Sequence, residues 1–138
     1  MTSGQSQSAA TNNGTKTFFE RYFELLDGPD PHSSLELVAE DVEFSIQWAA
    51  DDTRKSNQFL GGRDALRGFI DAGNTEGWAH HVLHSGVSGA IEFALGETRW
   101  DSGERIGTFL AAAELDESGR MRKYMVARST AIAFPGVQ

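Results

Sequence analysis

His80, His81 and His84 form the densest group of acid-base side chains in the sequence, and histidine is the residue whose ordinary pKa suits proton transfer near neutral pH. They fall in a stretch, Trp78 to Val87, that reads as a strand. Alternation then divides them: His81 shares a face with Leu83 and Ser85, and His80 and His84 share the other with Val82. At most two can line one cavity. A metal on His80 and His84 would need further ligands, and neither an HExxH pattern nor a cysteine is present, so no metal is expected. Glu97, Arg99 and Asp101 also alternate, placing an Arg between two carboxylates. Buried, they would position a ligand oxygen or a water; exposed, they would be a weak ion network beside a turn that Asp101 opens for backbone reasons. Arg128 follows Tyr124 and Val126 at strand spacing. It therefore faces the same side, where it could pair with a carboxylate or hold an anionic ligand group.

These residues need a frame. Lys16 to Asp27 carries Phe18, Phe19, Tyr22, Phe23, Leu25 and Leu26 at helical spacing, and Gly28-Pro29-Asp30-Pro31 stops that helix. Ser33 or Ser34 is placed to cap a short second helix. Val42 to Trp48 alternates as a half-buried strand, Ala50 to Gln58 reads as a loop that could act as a lid, and Asp64 is placed to cap a third helix ending near Gly73. Four strands complete the chain: Trp78 to Val87, Ala90 to Trp100, Arg105 to Leu115 and Met121 to Ala133, joined at Ser88-Gly89, Asp101-Ser102-Gly103 and Asp116-Glu117-Ser118-Gly119. Helices first and hairpins afterwards predict an α+β domain with a curved, mostly antiparallel sheet wrapped around three helices. Apolar residues on both faces of the last strands predict a homodimer.

The 138 residues suit one domain, read as a tail over 1–15 and a folded unit over 16–134. The polar start carries neither a signal nor an anchor, and no stretch approaches the roughly 18 apolar residues of a membrane span. A net charge of −8 with only twelve Lys and Arg argues against nucleic-acid partners. Without cysteine, thiol chemistry is excluded and a cytoplasmic setting is expected.

Leu37-Val38-Ala39-Glu40-Asp41-Val42-Glu43-Phe44 leading into the first strand, with Gly61-Gly62-Arg63-Asp64-Ala65-Leu66 opening the third helix, resembles the SnoaL-like branch of the NTF2-like superfamily over roughly Thr17 to Ile132. The resemblance implies a cone-shaped fold with an apolar pocket at its open end, often in a homodimer. Its chemistries include ketosteroid isomerases, polyketide cyclases, dehydratases and limonene-type epoxide hydrolases, so the residues have to decide. The isomerase pattern puts Ile46 and Ala111 where its carboxylates belong. The limonene-type pattern matches Arg99-Trp100-Asp101, then meets Val126, Phe44 and Ile46 at its other polar positions. The dehydratase-like members resemble the chain at Tyr22, Asp27 and His81, which implies a histidine proton shuttle, its orienting carboxylate and a Tyr oxygen donor.

The reading that results is an acid-base enzyme without cofactor (dehydratase, isomerase, cyclase or hydrolase) acting on a small hydrophobic molecule. His81, Asp27 and Tyr22 would carry the chemistry, and Arg99 and Asp101 would add polar contacts. Trp48, Phe59, Trp100, Phe109, Tyr124 and Arg128 would bind the ligand. The alternatives are a pocket or dimer module that only binds and, as a lesser one, a limonene-type hydrolase.

Overall fold

A computed structural model describes residues 16–48, 57–73 and 77–136, the side chains of 48 and 57–59 excepted. The expected tail over 1–15, most of the expected lid, and the Trp48 and Phe59 side chains lie outside the described residues. Helix α1 spans Phe18–Leu26 and begins with a reciprocal capping box, in which the Thr17 hydroxyl accepts from the Glu20 backbone N–H and the Glu20 carboxylate accepts from the Thr17 N–H. Its apolar stripe buries Phe18, Phe19, Tyr22 and Phe23, each such side chain stabilising the fold by about 1.5–3 kcal/mol. The expected second helix is a 3₁₀ turn, Pro31–Leu37, with no side-chain cap. Ser33 and Ser34 instead donate their hydroxyls to the carbonyls of Asp30 and Pro31, because Pro31 fixes a tight turn in which those acceptors are nearest. Helix α2, Arg63–Ala72, starts from Gly62 with Asp64 in its first turn rather than at the cap.

Among the described residues six strands form one open sheet: β1 Val38–Trp48, β2 Asn57–Gly61, β3 Trp78–Ser88, β4 Ile91–Trp100, β5 Arg105–Leu115 and β6 Met121–Ser129. The order is β2-β1-β6-β5-β4-β3, antiparallel except where β1 runs parallel to β6. Asn57 and Gln58, expected in a loop, are the start of β2, paired with Trp48 and Gln47. Register shifts in β1, in β3 between Val82 and His84, and in β4 between Thr98 and Arg99 bend the sheet. The helices fill its concave side, and Val42, Phe44, Ile46, Phe109, Ala111 and Tyr124 join α1 and Leu66 in one core.

One glycine sets the depth of that concavity. A Cβ on Gly96 would lie 2.3 Å from the His81 carbonyl oxygen and 2.6 Å from the Phe109 ring, so its missing side chain is the space into which Phe109 packs.

Tyr22 and Tyr124, the chain's two tyrosines, are both buried, and desolvation pushes both phenols well above their ordinary range. Below about pH 10 the folded and unfolded chains both hold the two protons; above it the unfolded chain sheds them and the folded one keeps them. Stability is therefore expected to fall as pH rises beyond about 10, with tyrosinate absorbance appearing together with loss of the circular-dichroism signal. Tyrosinate forming near pH 10 in an intact fold would contradict this packing.

Candidate functional site

The end of α1 and the start of β3 meet at a single carboxylate. Asp27 closes α1, its backbone N–H bonded to the Phe23 carbonyl. One carboxylate oxygen accepts the His80 backbone N–H at 2.7 Å, and both oxygens lie 3.1 Å from His80 Nδ1. An ionised carboxylate only accepts, so Nδ1 carries the proton and Nε2 is left as the exchangeable nitrogen. Among the described residues Nε2 has no hydrogen-bond partner. The side chains of His80 and Asp27 are only 16% and 10% exposed, so their attraction is screened far less than a surface pair's. Aromatic rings fix the imidazole: Phe23 stacks on it at 4.3 Å between centroids, Trp78 lies at 5.2 Å and Phe109 meets it edge-on at 5.4 Å.

His80 also lines a partly enclosed hollow of about 120 Å³ between the sheet and α1 and α2. Leu26, Ile46, Leu66, Phe69, Ile70 and Val126 give it apolar walls; Tyr22, Gln47, Thr98, Tyr124 and Arg128 give it polar points. Its volume approaches that of a cavity, roughly 150 Å³, known to hold benzene. Tyr22 shares a hydrogen bond with buried Ser34 and feels the Asp27 charge; burial nevertheless dominates, so the phenol keeps its proton. Arg128 donates from Nη2 to the Thr98 hydroxyl at 2.9 Å, and its guanidinium carbon stands 6.0 Å from the Trp78 ring centroid. Desolvation lowers its pKa.

The residues singled out in the sequence divide between the hollow and the outer surface. His81 is exposed and does not line the hollow; it lies along an outer groove with Lys16, Glu20 and Glu24 that Asp27 and His80 also line, and the histidine bonded to Asp27 is His80. Trp78 and Val82, two residues either side, mark the inward face, and that alternation was the available signal. Beyond Val82 the register shift breaks it, and His84 bonds the Pro135 carbonyl instead. Arg99 pairs at 2.9 Å with Glu97, and neither they nor exposed Asp101 line the hollow. The Arg-x-Asp element of the limonene-type reading therefore does not line this hollow. Trp100, 46% exposed, lies outside as well. Phe109, Tyr124 and Arg128 line it together with Tyr22, and Asp27 reaches it through His80. Among the described residues no three His, Cys, Asp or Glu side chains converge as a metal site, and no helix is long and apolar enough to cross a membrane.

No protein-family model matches the sequence, and no curated protein matches it. Solved structures do match. A candidate isomerase of the SnoaL-like family from Agrobacterium tumefaciens aligns at TM-score 0.63 with 11% identity, covering 81% of this chain and 94% of its own. A candidate ketosteroid isomerase from Kribbella flavida gives TM-score 0.63, 18% identity and coverage of 87% and 81%. The chain has the SnoaL-like, NTF2-like fold. An NTF2-like protein of unknown function from Mesorhizobium loti aligns over 89% of this chain and 97% of its own at TM-score 0.61 and 16% identity. At such identities the likeness carries the cone and its open sheet, and the chemistry rests on this chain's own residues.

Proposed function

We propose that this SnoaL-like chain is an acid-base enzyme for a small hydrophobic organic molecule, catalysing an isomerisation, cyclisation or elimination that begins with proton abstraction next to a carbonyl. The observation that carries the reading is the Asp27 and His80 pair opening onto an apolar hollow. His80 Nε2 takes the proton; the Asp27 carboxylate stabilises the imidazolium through Nδ1–H and fixes the ring's orientation. The same nitrogen returns the proton to another carbon or to a departing hydroxyl. Tyr22, protonated and beside Asp27, is the neutral oxygen donor. Two neighbours in fold are described as candidate isomerases, which agrees with this class of reaction. The setting proposed is cytoplasmic, which a chain without cysteine suits. A wall this apolar also suits binding without turnover, and the assay below separates the two.

The proposal includes a homodimer. Phe93, Leu110 and Met125 are exposed on neighbouring strands. Through the register Phe93↔Ala112↔Met125 and Leu95↔Leu110↔Ala127, they form one apolar patch on the face turned away from the helices.

Proton abstraction is read by hydrogen–deuterium exchange at the α-carbons of a panel of cyclic ketones in heavy water. The native chain is expected to catalyse exchange for at least one member. His80→Gln is expected to lose about 10²- to 10⁴-fold of it, and Asp27→Asn nearly as much; Tyr22→Phe, whose proton is shared with Ser34, should lose about tenfold or less, and His81→Gln should lose nothing. Binding of a ketone without exchange would favour the binding-only alternative, and full activity in His80→Gln would remove the pair from the mechanism. For the dimer, sedimentation should give twice the chain mass, reduced to the chain mass in Leu110→Glu/Met125→Glu. A native chain that sediments as a monomer at every concentration would end that part of the proposal.

A further inference from the structure

The chain's two tyrosines both line the hollow, and their hydroxyls stand in different circumstances. The rings lie 5.6 Å apart between centroids, edge to face. Burial raises both phenols, and the Asp27 charge adds to the shift in each, so both keep their protons at neutral pH and both stand near the carboxylate that orients His80. Tyr22 already has an acceptor. The Ser34 hydroxyl gives its one proton to the Pro31 carbonyl at 2.7 Å, so in the bond between Tyr22 and Ser34 the phenol is the donor.

Tyr124 differs. Burial, Tyr22 and Asp27 raise its pKa, and no hydrogen bond among the described residues offsets them. It is only 6% exposed, and a hydroxyl that far out of water without an acceptor costs on the order of a lost hydrogen bond. An acceptor brought in by a ligand would recover that cost. The ring is also held in place. Phe19 at 6.0 Å and Tyr22 confine it from α1, and β6 is an inner strand, with Tyr124 paired to Phe44 on one side and Ala113 on the other. A donor confined in this way meets a developing negative charge without first having to reorganise.

We propose that Tyr124 is a catalytic residue, the hydroxyl that donates a hydrogen bond to the substrate's carbonyl oxygen while His80 removes the proton from the neighbouring carbon. This rests on the acid-base reading of the hollow and assigns the group that holds the oxygen. The proton passes to His80 Nε2, the C–H electron pair becomes the carbon–carbon double bond of an enolate, and the carbonyl π pair moves onto oxygen. Tyr124 keeps its own proton and stabilises that oxygen's charge through the hydrogen bond. Tyr22 stands second, because it can serve the same oxygen only with a proton already directed to Ser34. That is the reason the loss expected of Tyr22→Phe is small.

Two measurements test the assignment. Infrared spectroscopy of cyclohexanone, a ring-sized ketone, bound to the full chain reads the hydrogen bond, and the deuterium-exchange assay above reads the chemistry. The carbonyl stretch of the bound ketone should lie below its position in hexane, both in the native chain and in His80→Gln. In Tyr124→Phe, which removes one hydroxyl and keeps the ring, it should return towards that position with the circular-dichroism signal unchanged. For the ketone that exchanges fastest, Tyr124→Phe should lose about 10²- to 10³-fold of the rate, more than Tyr22→Phe loses. An unshifted stretch in the native chain, or a stretch and an exchange rate that Tyr124→Phe leaves unchanged, would overturn the assignment while leaving His80 as the base. A stretch that Tyr22→Phe alone moves would give the oxygen to the other phenol and overturn it as well. If the stretch depends on Tyr124 and the native chain exchanges no ketone, Tyr124 only binds, and its catalytic role falls together with the enzyme reading. If cyclohexanone does not bind, the hollow is misread and both proposals fall.

Discussion

The organisation of this molecule depends on one carboxylate reaching from a helix end to a sheet edge. Strand β3 is the last of its sheet, so alternate backbone N–H groups along its free side have no neighbouring strand to accept them, and a buried orphan of that kind costs on the order of a hydrogen bond. At His80 the Asp27 side chain takes the place of the missing strand. The same carboxylate then orients the imidazole one residue's reach away. A negative charge at a helix C-terminus opposes the helix dipole, so Asp27 is locally unfavourable where it stands, and the two His80 contacts offset that cost. A residue that breaks a local rule and is repaid across the fold is what a functional site is expected to show.

Aromatic side chains from separate elements close around the pair. Phe23 comes from α1, Trp78 from β3 and Phe109 from β5, so three elements confine the imidazole. Phe109 in turn depends on the space Gly96 leaves on β4. The hollow is therefore a consequence of the sheet's bend and of a small residue placed opposite the register shift in β3. Its described walls are mostly apolar, and their polar points, Gln47, Thr98 with Arg128 and the phenols of Tyr22 and Tyr124, are those a bound molecule would meet.

Much of the frame was legible in the sequence because it is periodic. The alternation from Val42 to Trp48, the Asp-Ser-Gly and Asp-Glu-Ser-Gly turns and the apolar stripe of the first helix each report local geometry, and each stands as a strand, a hairpin or a helix. Strand β2 was hidden because five residues pair through β1 rather than through a pattern of their own. The helix caps were misplaced at Ser33, Ser34 and Asp64, where Pro31 and Gly62 impose different backbone starts. At the site, the tie between Asp27 and His80 spans 53 positions, beyond any spacing rule. Alternation from Trp78 pointed inward at His80, but likeness to dehydratase-type relatives drew the role to His81. Glu97 and Arg99 pair with each other away from the hollow, while Asp101 stands in the turn beyond β4, so periodicity grouped three residues that the fold does not hold together.

The central claim is that Asp27 holds His80 in one tautomer, with Nδ1 protonated and Nε2 presented to the hollow. Nitrogen-15 NMR of the histidine side chains in the native chain and in Asp27→Asn tests it most directly. The account predicts a slowly exchanging Nδ1–H at His80 in the native chain that becomes fast-exchanging or disappears in Asp27→Asn. A neutral His80 with its proton on Nε2, or a signal indifferent to Asp27, would contradict it.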